Sequence, residues 1–199
     1  WLVPMASEES SVVAAVCNAA RQCYDNGGFV TSMSGTMMIA QIQLIGVHDP
    51  EHARIKILER KTEIEKLCNE CDPILINLGG GFRDLEVRVL KTQSGPMVIT
   101  HLIVDTRDAM GANAVNTMAE AIAPRISEWT GGQANLRILS NLADRRLSRA
   151  RCIWRTQDIG GESVRDGMIS AYHFADAYPY RAATHNKGIM NGIDAVVLA

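Results

Sequence analysis

The feature that most constrains the fold is a pair of strand-like apolar segments joined by a short turn. The two segments span about Asp84–Leu90 and Met97–Asp105, and the intervening "TQSGP" is typical of a β-hairpin. A third segment, "MMIAQIQLIGV" at about Met37–Val47, alternates apolar and polar residues and predicts another half-buried strand. Because helical patterns lie between these strands, the chain favours an α+β fold over a doubly wound parallel sheet.

The helical signals are distributed along the whole chain. Ser7 is a candidate N-cap for a first helix that runs to about Asp25, and the "DP" of Asp49 and Pro50 starts a second helix that runs to about Cys71. The segment "GANAVNTMAEAIAPRISEWTGG" predicts a third helix, disturbed at its proline and ended by its final glycines. The remaining elements are strands near Leu136–Leu139 and Arg149–Trp154, a helix near Glu162–Asp176 and a last helix after Asn186.

Composition excludes several classes of protein. The 199 residues are 47% hydrophobic and 21% charged with a net charge of −2, which gives no basic surface for nucleic acid or an acidic membrane. No apolar run approaches the roughly 18 residues of a membrane helix, and the N-terminus does not resemble a signal peptide. The five cysteines, an odd number, favour reduced thiols and a cytoplasmic location. The apolar residues at both ends of the sequence resemble parts of longer helices or strands. We therefore expect the chain to be an internal piece of a longer protein.

Two adjacent carboxylates begin the first predicted helix, and the helical period separates them. Neighbouring helical residues point about 100° apart, so Glu8 and Glu9 cannot face the same site. Steps of three, four and seven from Glu9 reach Val12, Val13 and Val16, which predicts that Glu9 faces the interior. Desolvation there would favour the neutral carboxyl of a general acid. The alternative is a pair of surface acids that complement the helix dipole.

The segment "HNKGIMNGID", residues 185–194, places one lysine among residues with little charge. Lys187 near the start of the last predicted helix would oppose the helix dipole, which is tolerated more readily beside an anion or a developing oxyanion. The alternative is a solvated surface lysine.

The glycine-rich segments do not match nucleotide-binding fingerprints. "GGGFRD" at Gly79–Asp84 precedes a strand and is not G-x-G-x-x-G, and no P-loop pattern occurs. "DAMGAN" at Asp108–Asn113 is different, because an aspartate after a strand leads into a helix start. Backbone N–H groups at such a start bind phosphate, although the same sequence also suits an ordinary capped turn.

No motif predicts a metal site. "CNEC" at Cys68–Cys71 has metal or redox spacing, but no second pair accompanies it, and both cysteines lie on an apolar helix side. Packing is therefore the favoured role of both thiols. His48 and His52 do not form an H-E-x-x-H motif, and we expect both on the surface.

Six segments together closely resemble the 3-hydroxy-3-methylglutaryl-coenzyme A (HMG-CoA) reductase family, in its second, mainly bacterial and archaeal class. They are "PMASEESSVVAA", "GGGFRD", "DAMGAN", "NTMAEAIAP", "ILSNLADRR" and "YRAATHNKGIMNGIDAVVLA". The likeness runs from Pro4 to Ala199, and "DAMGAN" and "THNKGIMNGID" are its most specific parts. It implies an oxidoreductase of mevalonate and isoprenoid metabolism. Such an enzyme interconverts HMG-CoA with mevalonate and CoA by two hydride transfers from or to NAD(P)(H).

The resemblance also implies an architecture. A large, mainly helical catalytic domain would be interrupted by a small α+β cofactor domain with an antiparallel, ferredoxin-like sheet that is not a Rossmann fold. The corresponding boundaries are 1–35 and 141–199 for the catalytic domain and 36–140 for the cofactor domain. The family further implies a homodimer, or a higher oligomer of dimers, with no nucleic-acid or membrane partner.

The functional residues of the family are assigned to positions of this chain where the family's motifs match. Lys187 matches the lysine that stabilises the oxyanion at the thioester carbonyl, and Glu9 matches the glutamate that gives a proton to the aldehyde oxygen. This match implies a buried ammonium group of Lys187 near the inward carboxylate of Glu9. Positions that match the substrate side of the family site are Ser11, Asn141, Arg181 and Asn191, of which the arginine suits the glutaryl carboxylate. Positions that match the cofactor motif are Asp108, Met110, Gly111 and Asn113. Asp72 matches an acidic residue that binds the adenosine ribose, and its charge favours NAD over NADP, although NADP remains possible.

Two departures from the family pattern matter. The catalytic glutamate of the family is usually followed by proline, whereas this chain has Ser10, so some rigidity of the first turn is lost. The family's catalytic aspartate and C-terminal histidine correspond to positions after Ala199. We therefore expect this chain alone to be inactive, and mevalonate-dependent NAD reduction by the isolated chain would contradict that expectation.

Two other functions compete with the reductase. Lys187 would be a Schiff-base nucleophile in an aldolase-like enzyme, which borohydride trapping of a substrate adduct would reveal. A CoA- or nucleotide-binding module would keep ligand affinity without turnover, so Lys187→Ala and Glu9→Gln would have no rate to reduce.

Overall fold

In the computed structural model, residues 2–6 and 9–199 are described. They form two compact units. The central unit comprises Met33–Ser148, and the flanking unit comprises the chain up to Ser32 and from Arg149 onward. The helices are α1 (Ser10–Tyr24), α2 (Pro50–Leu58), α3 (Lys61–Glu70), α4 (Pro73–Asn77), α5 (Ala112–Thr130), α6 (Glu162–Ala177) and α7 (Pro179–Val197). The strands are β1 (Val30–Met33), β2 (Met37–Ile45), β3 (Gly81–Thr92), β4 (Gly95–Asp105), β5 (Gln133–Leu139) and β6 (Ser148–Arg151).

The central unit is built on a four-stranded sheet with the strand order β3-β4-β2-β5. Each neighbouring pair is antiparallel, with Gln41 opposite His101 and Val87 opposite Thr100. Along the chain the order of elements is strand, helices, two strands, helix and strand, which is the ferredoxin-like arrangement. The predicted α+β class with an antiparallel, non-Rossmann sheet is therefore confirmed.

Alternation in the strands and a helical stripe on α5 create the core of this unit. In β2, Ala40, Ile42 and Leu44 are fully buried on the side that faces the helices. The facing stripe of α5 consists of apolar residues three or four apart, namely Val115, Met118, Ala119, Ile122, Ala123 and Ile126. Each large side chain buried in this way stabilises the fold by about 1.5–3 kcal/mol. Gly131, in the left-handed conformation, ends α5 as predicted.

The predicted helix from Asp49 to Cys71 is wrong as a single element. The Asp49 side chain caps α2 by accepting from the His52 amide at 3.0 Å, but the helix stops at Leu58. Arg60 leaves helical geometry, donates to the Lys56 carbonyl at 2.8 Å and places its guanidinium over the Trp129 ring. These contacts are tertiary, and no glycine or proline marks the break in the sequence.

Other boundaries also differ from the predictions. The helix α7 begins at Pro179, whereas the sequence analysis started it after Asn186, and the proline at its first position is the signal that was missed. The strand β1 was not predicted, because "VTSM" is exposed throughout and is a strand through its pairing with β6. The predicted cap at Ser7 lies outside the described residues.

The flanking unit consists mainly of helices with few buried residues. α6 buries none of its residues, and α7 buries only Ala195. α1 packs on α7 where Gly192 lies close to Val16, and the Ala6 amide donates to the Ala195 carbonyl at 2.6 Å. Among the described residues, no helix combines the length and the apolar character that crossing a membrane requires.

Candidate active site

A cavity of about 440 Å³ in the flanking unit brings together residues from α7 and from the segment before α1. Its lining includes Glu9, Lys187, Asn191 and Asp194. Three of these four are sequence-predicted site residues, and Asp194 is an addition. The cavity therefore collects one ammonium group, two carboxylates and one amide.

The helical period of α7 explains why three of these side chains share the cavity. Lys187, Asn191 and Asp194 follow one another at steps of four and three residues, so they lie on one face of the helix. Gly192 and Ala195 lie beside them with little or no side chain, and both contact the region of α1. Small residues at this interface let the two helices approach closely without filling the cavity.

The backbone position of Glu9 in the cavity lining differs from the one predicted. It is the N-cap residue of α1, with extended dihedral angles of φ −141° and ψ 125°, and the helix begins at Ser10. A helical phase therefore does not apply to Glu9, and the prediction of an inward, desolvated carboxylate is wrong because the residue is exposed. Glu9 nevertheless lines the same cavity as Lys187.

Lys187 also differs from its prediction in two respects. It lies in the middle of α7, and it is exposed in this chain, so both the helix-start position and the burial expected for it are wrong. The expected proximity to Glu9 is retained, because both residues line the same cavity. An ammonium group in such a concave site can bind an anionic oxygen, and a carboxyl group next to it can transfer a proton.

The other predicted substrate residues do not line this cavity. Ser11 is exposed in the first turn of α1, and Arg181 is partly buried in the first turns of α7. Asn141 is exposed and belongs to the central unit, just after β5. The roles assigned to these three residues remain predictions.

A second cavity, of about 360 Å³, lies in the central unit and brings together two predicted cofactor residues. Asp72 and Asp108 both line it, together with Thr106 and Arg107. Asp72 is the N-cap of α4, and its Oδ1 accepts from the Leu75 amide at 2.9 Å. That bond fixes the direction of the carboxylate and leaves its second oxygen for a ligand.

The loop that leads into α5 has the geometry of an open helix N-terminus. Gly111 is the N-cap in the left-handed conformation, with φ 91°, and a side chain there would collide with Thr106. No side chain caps the first amides of α5, so these N–H groups remain suitable for an anion. Met110 and Asn113, also predicted for the cofactor, are exposed and do not line the cavity.

Asp105, at the end of β4, holds the same loop in place through hydrogen bonds. Its Oδ1 accepts from the Thr36 hydroxyl at 2.5 Å and from the Arg107 amide at 3.0 Å, and Oδ2 lies 3.4 Å from an Arg83 nitrogen. Burial alone would raise the pKa of Asp105, but the hydrogen bonds from Thr36 and Arg107 bring that pKa below its ordinary value. The contact also holds Arg107 at the positive φ of 54°, which is rare for a residue other than glycine.

Sequence reasoning missed two charged residues that line the cavities. Asp194 carried a usable signal, because it follows Lys187 by seven residues and therefore lies on the same face of a continuous helix. That signal was hidden by the wrong start of α7. Arg107 carried no signal of this kind, since its position depends on the buried Asp105.

Two cysteines and two histidines had been considered as metal ligands from their spacing in the sequence. Cys68 is fully buried in the core and Cys71 packs against it, so their predicted packing role is confirmed. His48 and His52 are exposed, as predicted. Within residues 2–6 and 9–199, no group of three or more His, Cys, Asp or Glu side chains could hold a metal ion.

Comparison with known proteins gives consistent matches along the whole chain. The family model for hydroxymethylglutaryl-coenzyme A reductase matches residues 1–199. The chain is 55% identical over 199 residues to the 3-hydroxy-3-methylglutaryl-coenzyme A reductase of Archaeoglobus fulgidus. It is 35% identical over 210 residues to a probable enzyme of the same name from Borreliella burgdorferi. In both comparisons the whole of this chain aligns with 46% of the relative, so it spans about half the length of these curated relatives.

Solved structures agree with the sequence comparisons. The reductase of Streptococcus pneumoniae superposes with a TM-score of 0.93 at 41% identity, over 99% of this chain and 48% of that one. A class II reductase from the same organism, described as bound to NADPH in open conformations, gives a TM-score of 0.93 at 40% identity. That match covers 99% of this chain and 55% of the S. pneumoniae chain. On this evidence of sequence and fold, the chain belongs to the hydroxymethylglutaryl-coenzyme A reductase family.

Proposed function

We propose that this chain carries part of the active site of an enzyme that interconverts HMG-CoA with mevalonate and CoA by two hydride transfers. The observation that carries the proposal is the cavity that Glu9 and Lys187 line together. The two residues come from opposite ends of the sequence, and their family counterparts act on the same oxygen atom. Membership of the family and the likeness to the S. pneumoniae enzymes support the same assignment.

Lys187 is proposed to bind the oxygen of the substrate carbonyl. When a hydride adds to the thioester carbon, that oxygen becomes an anion, and a positioned ammonium group lowers the energy of this state more than that of the neutral carbonyl. One such donor contributes about 2.7–4 kcal/mol to barrier lowering. Asn191, one turn further along α7, would donate an amide hydrogen bond to the same bound substrate.

Glu9 is proposed to hold and deliver the proton of the second reduction. After CoA thiol has left, the substrate is an aldehyde, and the second hydride leaves an alkoxide that must be protonated to give the alcohol of mevalonate. The Glu9 carboxyl group in the cavity lining would supply that proton, and the ammonium group of Lys187 in the same lining would stabilise the carboxylate that remains. In the reverse direction the same carboxylate accepts the proton.

NAD(P)H, when bound, supplies the two hydrides. The residues of the second cavity, in the central unit, and the start of α5 suit such a cofactor. The uncapped N-terminus of α5 offers backbone N–H groups for a pyrophosphate, and the second oxygen of Asp72 offers an acceptor for ribose hydroxyls. The negative charge of Asp72 opposes a 2′-phosphate, which supports NAD. Arg107 in the same lining is a cation, although Asp105 compensates part of its charge, and the S. pneumoniae relative described above was solved with NADPH.

Ser11, Arg181 and Asn141 are proposed to complete the binding of the substrate. Arg181 would form a bidentate pair with the free carboxylate of the glutaryl group.

CoA and HMG-CoA or mevalonate are the proposed small-molecule partners, and the proposed assembly is a homodimer or a larger oligomer. The exposed apolar side chains of α6, which include Met168, Ile169 and Phe174, support an interface on that helix.

The test is mevalonate- and CoA-dependent reduction of NAD or NADP in a protein of the relatives' full length that carries this sequence. We expect turnover with both substrates present and none when CoA is omitted. The isolated chain, measured in parallel, should bind the cofactor without turnover. Cofactor binding without turnover in the longer protein as well would replace the reductase by a binding module.

The Schiff-base alternative is tested in the same preparation. A nucleophilic lysine is activated by desolvation or by a second cation, and Lys187 is exposed with two carboxylates in its cavity. We therefore expect no borohydride-trapped adduct on Lys187, and a trapped adduct would overturn the assignment of that residue.

A further inference from the structure

Two cysteines that are distant in sequence lie side by side in the flanking unit. Cys23 is in the last turn of α1, and Cys152 directly follows β6. The Cys23 thiol is a close enough neighbour of Cys152 to raise the pKa of that thiol. Cys23 Sγ also donates to the carbonyl of Ala20 at 3.3 Å, so its side chain has a defined direction.

The surrounding contacts hold these two segments together. Trp154 donates from its indole nitrogen to the carbonyl of Ala19 at 2.9 Å, one helical turn before Cys23. The same indole meets the ring of Phe29 edge-on, with centroids 6.2 Å apart and an interplanar angle of 84°. β6, which ends one residue before Cys152, pairs with β1. These contacts hold the segment that carries Cys152 against the end of α1 that carries Cys23.

We propose that Cys23 and Cys152 form a disulfide bond when the protein meets a small-molecule disulfide oxidant such as oxidised glutathione. The structure has both as free thiols, together with the other three cysteines. A glutathione pool that is mostly reduced would keep such a bond open. The pair is thus a redox modification site, and it is independent of the proposed reductase activity.

The exchange has two steps. Cys152, the more accessible thiol, loses its proton and attacks one sulfur of oxidised glutathione, which forms a mixed disulfide and releases one glutathione thiolate. Cys23, which is 1% exposed, then loses its proton and attacks the Cys152 sulfur, which releases the second glutathione thiolate. Two protein thiols are oxidised, and one molecule of oxidised glutathione is reduced to two thiols.

The surroundings of Cys152 predict the pH dependence of the first step. Partial burial and the neighbouring Cys23 thiol raise the pKa of Cys152 above its ordinary value. Because the thiolate is the nucleophile, the rate should still be rising at about pH 9, above the ordinary thiol pKa of roughly 8.5.

The bond would close a loop that contains the entire central unit. Long closed loops remove the most conformational entropy from the unfolded chain. For a chain of this length we expect the melting temperature of the oxidised form to exceed that of the reduced form by roughly 5–10 °C.

The experiment incubates the 199-residue chain with oxidised glutathione at about pH 8.5 and maps its peptides by mass spectrometry without reduction. We expect one peptide pair joined through Cys23 and Cys152, the higher melting temperature, and reversal of both by dithiothreitol. Cys17→Ser is the matched control, because Cys17 is an exposed cysteine of the same helix and should leave the cross-link intact. Cys152→Ser should abolish the cross-link, and it decides the test if the buried Cys23→Ser variant does not fold.

Two results would overturn the proposal. One is a cross-link between Cys68 and Cys71, the other cysteines that lie close together, with Cys23 and Cys152 left as thiols. The other is Cys152 recovered only as its mixed disulfide with glutathione, because that product shows that Cys23 cannot reach it.

Discussion

The central and flanking units differ in how their helices are held. In the central unit, α5 buries six residues against the sheet and sits on a continuous apolar core. In the flanking unit, α6 buries none and α7 buries only Ala195. The helix that carries Lys187 therefore buries little of its surface, whereas the loop before α5 is attached to a densely packed unit. The two units are expected to differ in local stability.

Hydrogen exchange should reveal the largest contrast between the units. Backbone amides in regions with few buried contacts open at low free energy, whereas core amides open only near global unfolding. We expect the α5 amides around Ile122 to exchange on the order of 1,000-fold more slowly than the α6 amides around Ile169. Equal exchange rates in mid-helix positions of α5 and α6 would remove the distinction between the units.

A matched pair of truncations tests the same contrast energetically. Ile122 is fully buried in α5, so Ile122→Ala should lower the free energy of unfolding by about 2–5 kcal/mol. Ile169 in α6 is 48% exposed, so Ile169→Ala should change that free energy by less than about 0.5 kcal/mol. Urea denaturation of the two variants supplies both values. A large loss in Ile169→Ala would show that α6 is packed in solution against a surface that the isolated chain acquires by association.

Acid should weaken the contacts by which Asp105 holds the loop before α5. The pKa of Asp105 is lowered in the folded protein, so its contribution to stability is fully present above the unfolded pKa of about 3.9 and is lost as the pH falls through the lower folded value. We expect a melting temperature that falls below about pH 4, with a shallower fall in Asp105→Asn. At neutral pH the Asn variant should lose about 1–3 kcal/mol, because buried donors lose a charged acceptor. An unchanged acid slope in Asp105→Asn would show that other carboxylates dominate.

The smallest expected effect concerns cofactor preference. Asp72→Asn keeps an N-cap for α4 but removes the charge that would repel a 2′-phosphate. We expect the ratio of NADP to NAD affinity to rise roughly tenfold in equilibrium binding. Asp49→Asn is the control, since Asp49 caps α2 in the same way and does not line the cavity. An unchanged ratio in Asp72→Asn would place the adenosine ribose elsewhere.

Periodicity was enough to predict most of the central unit. The alternation in β2, the "TQSGP" turn and the glycine stop of α5 correspond directly to the observed elements. The break between α2 and α3 could not be predicted, because Arg60 is held by Trp129, which is distant in sequence. The strand β1 exists only through its partner β6, and its own residues carry no alternation.

Prediction of the site was wrong about local geometry, and the roles assigned to Glu9 and Lys187 stay predictions. Glu9 was assigned to a helical face, but it precedes the helix, and Lys187 was assigned to a helix start and to a buried position. Motif resemblance selected both residues without needing the correct local structure. Asp194 required the correct extent of α7, since only a helix that continues from Lys187 places the two residues on one face.

The most direct test of the account is a double-mutant cycle on the two residues of the flanking cavity. Mevalonate- and CoA-dependent cofactor reduction is measured for Lys187→Ala, Glu9→Gln and the double variant, with Lys66→Ala as a surface control, in a protein of the relatives' full length. We predict that each single variant lowers kcat by roughly 100-fold or more and that the double variant loses far less than the product of the two losses. A Lys187→Ala enzyme with kcat close to that of the unchanged protein would contradict the account.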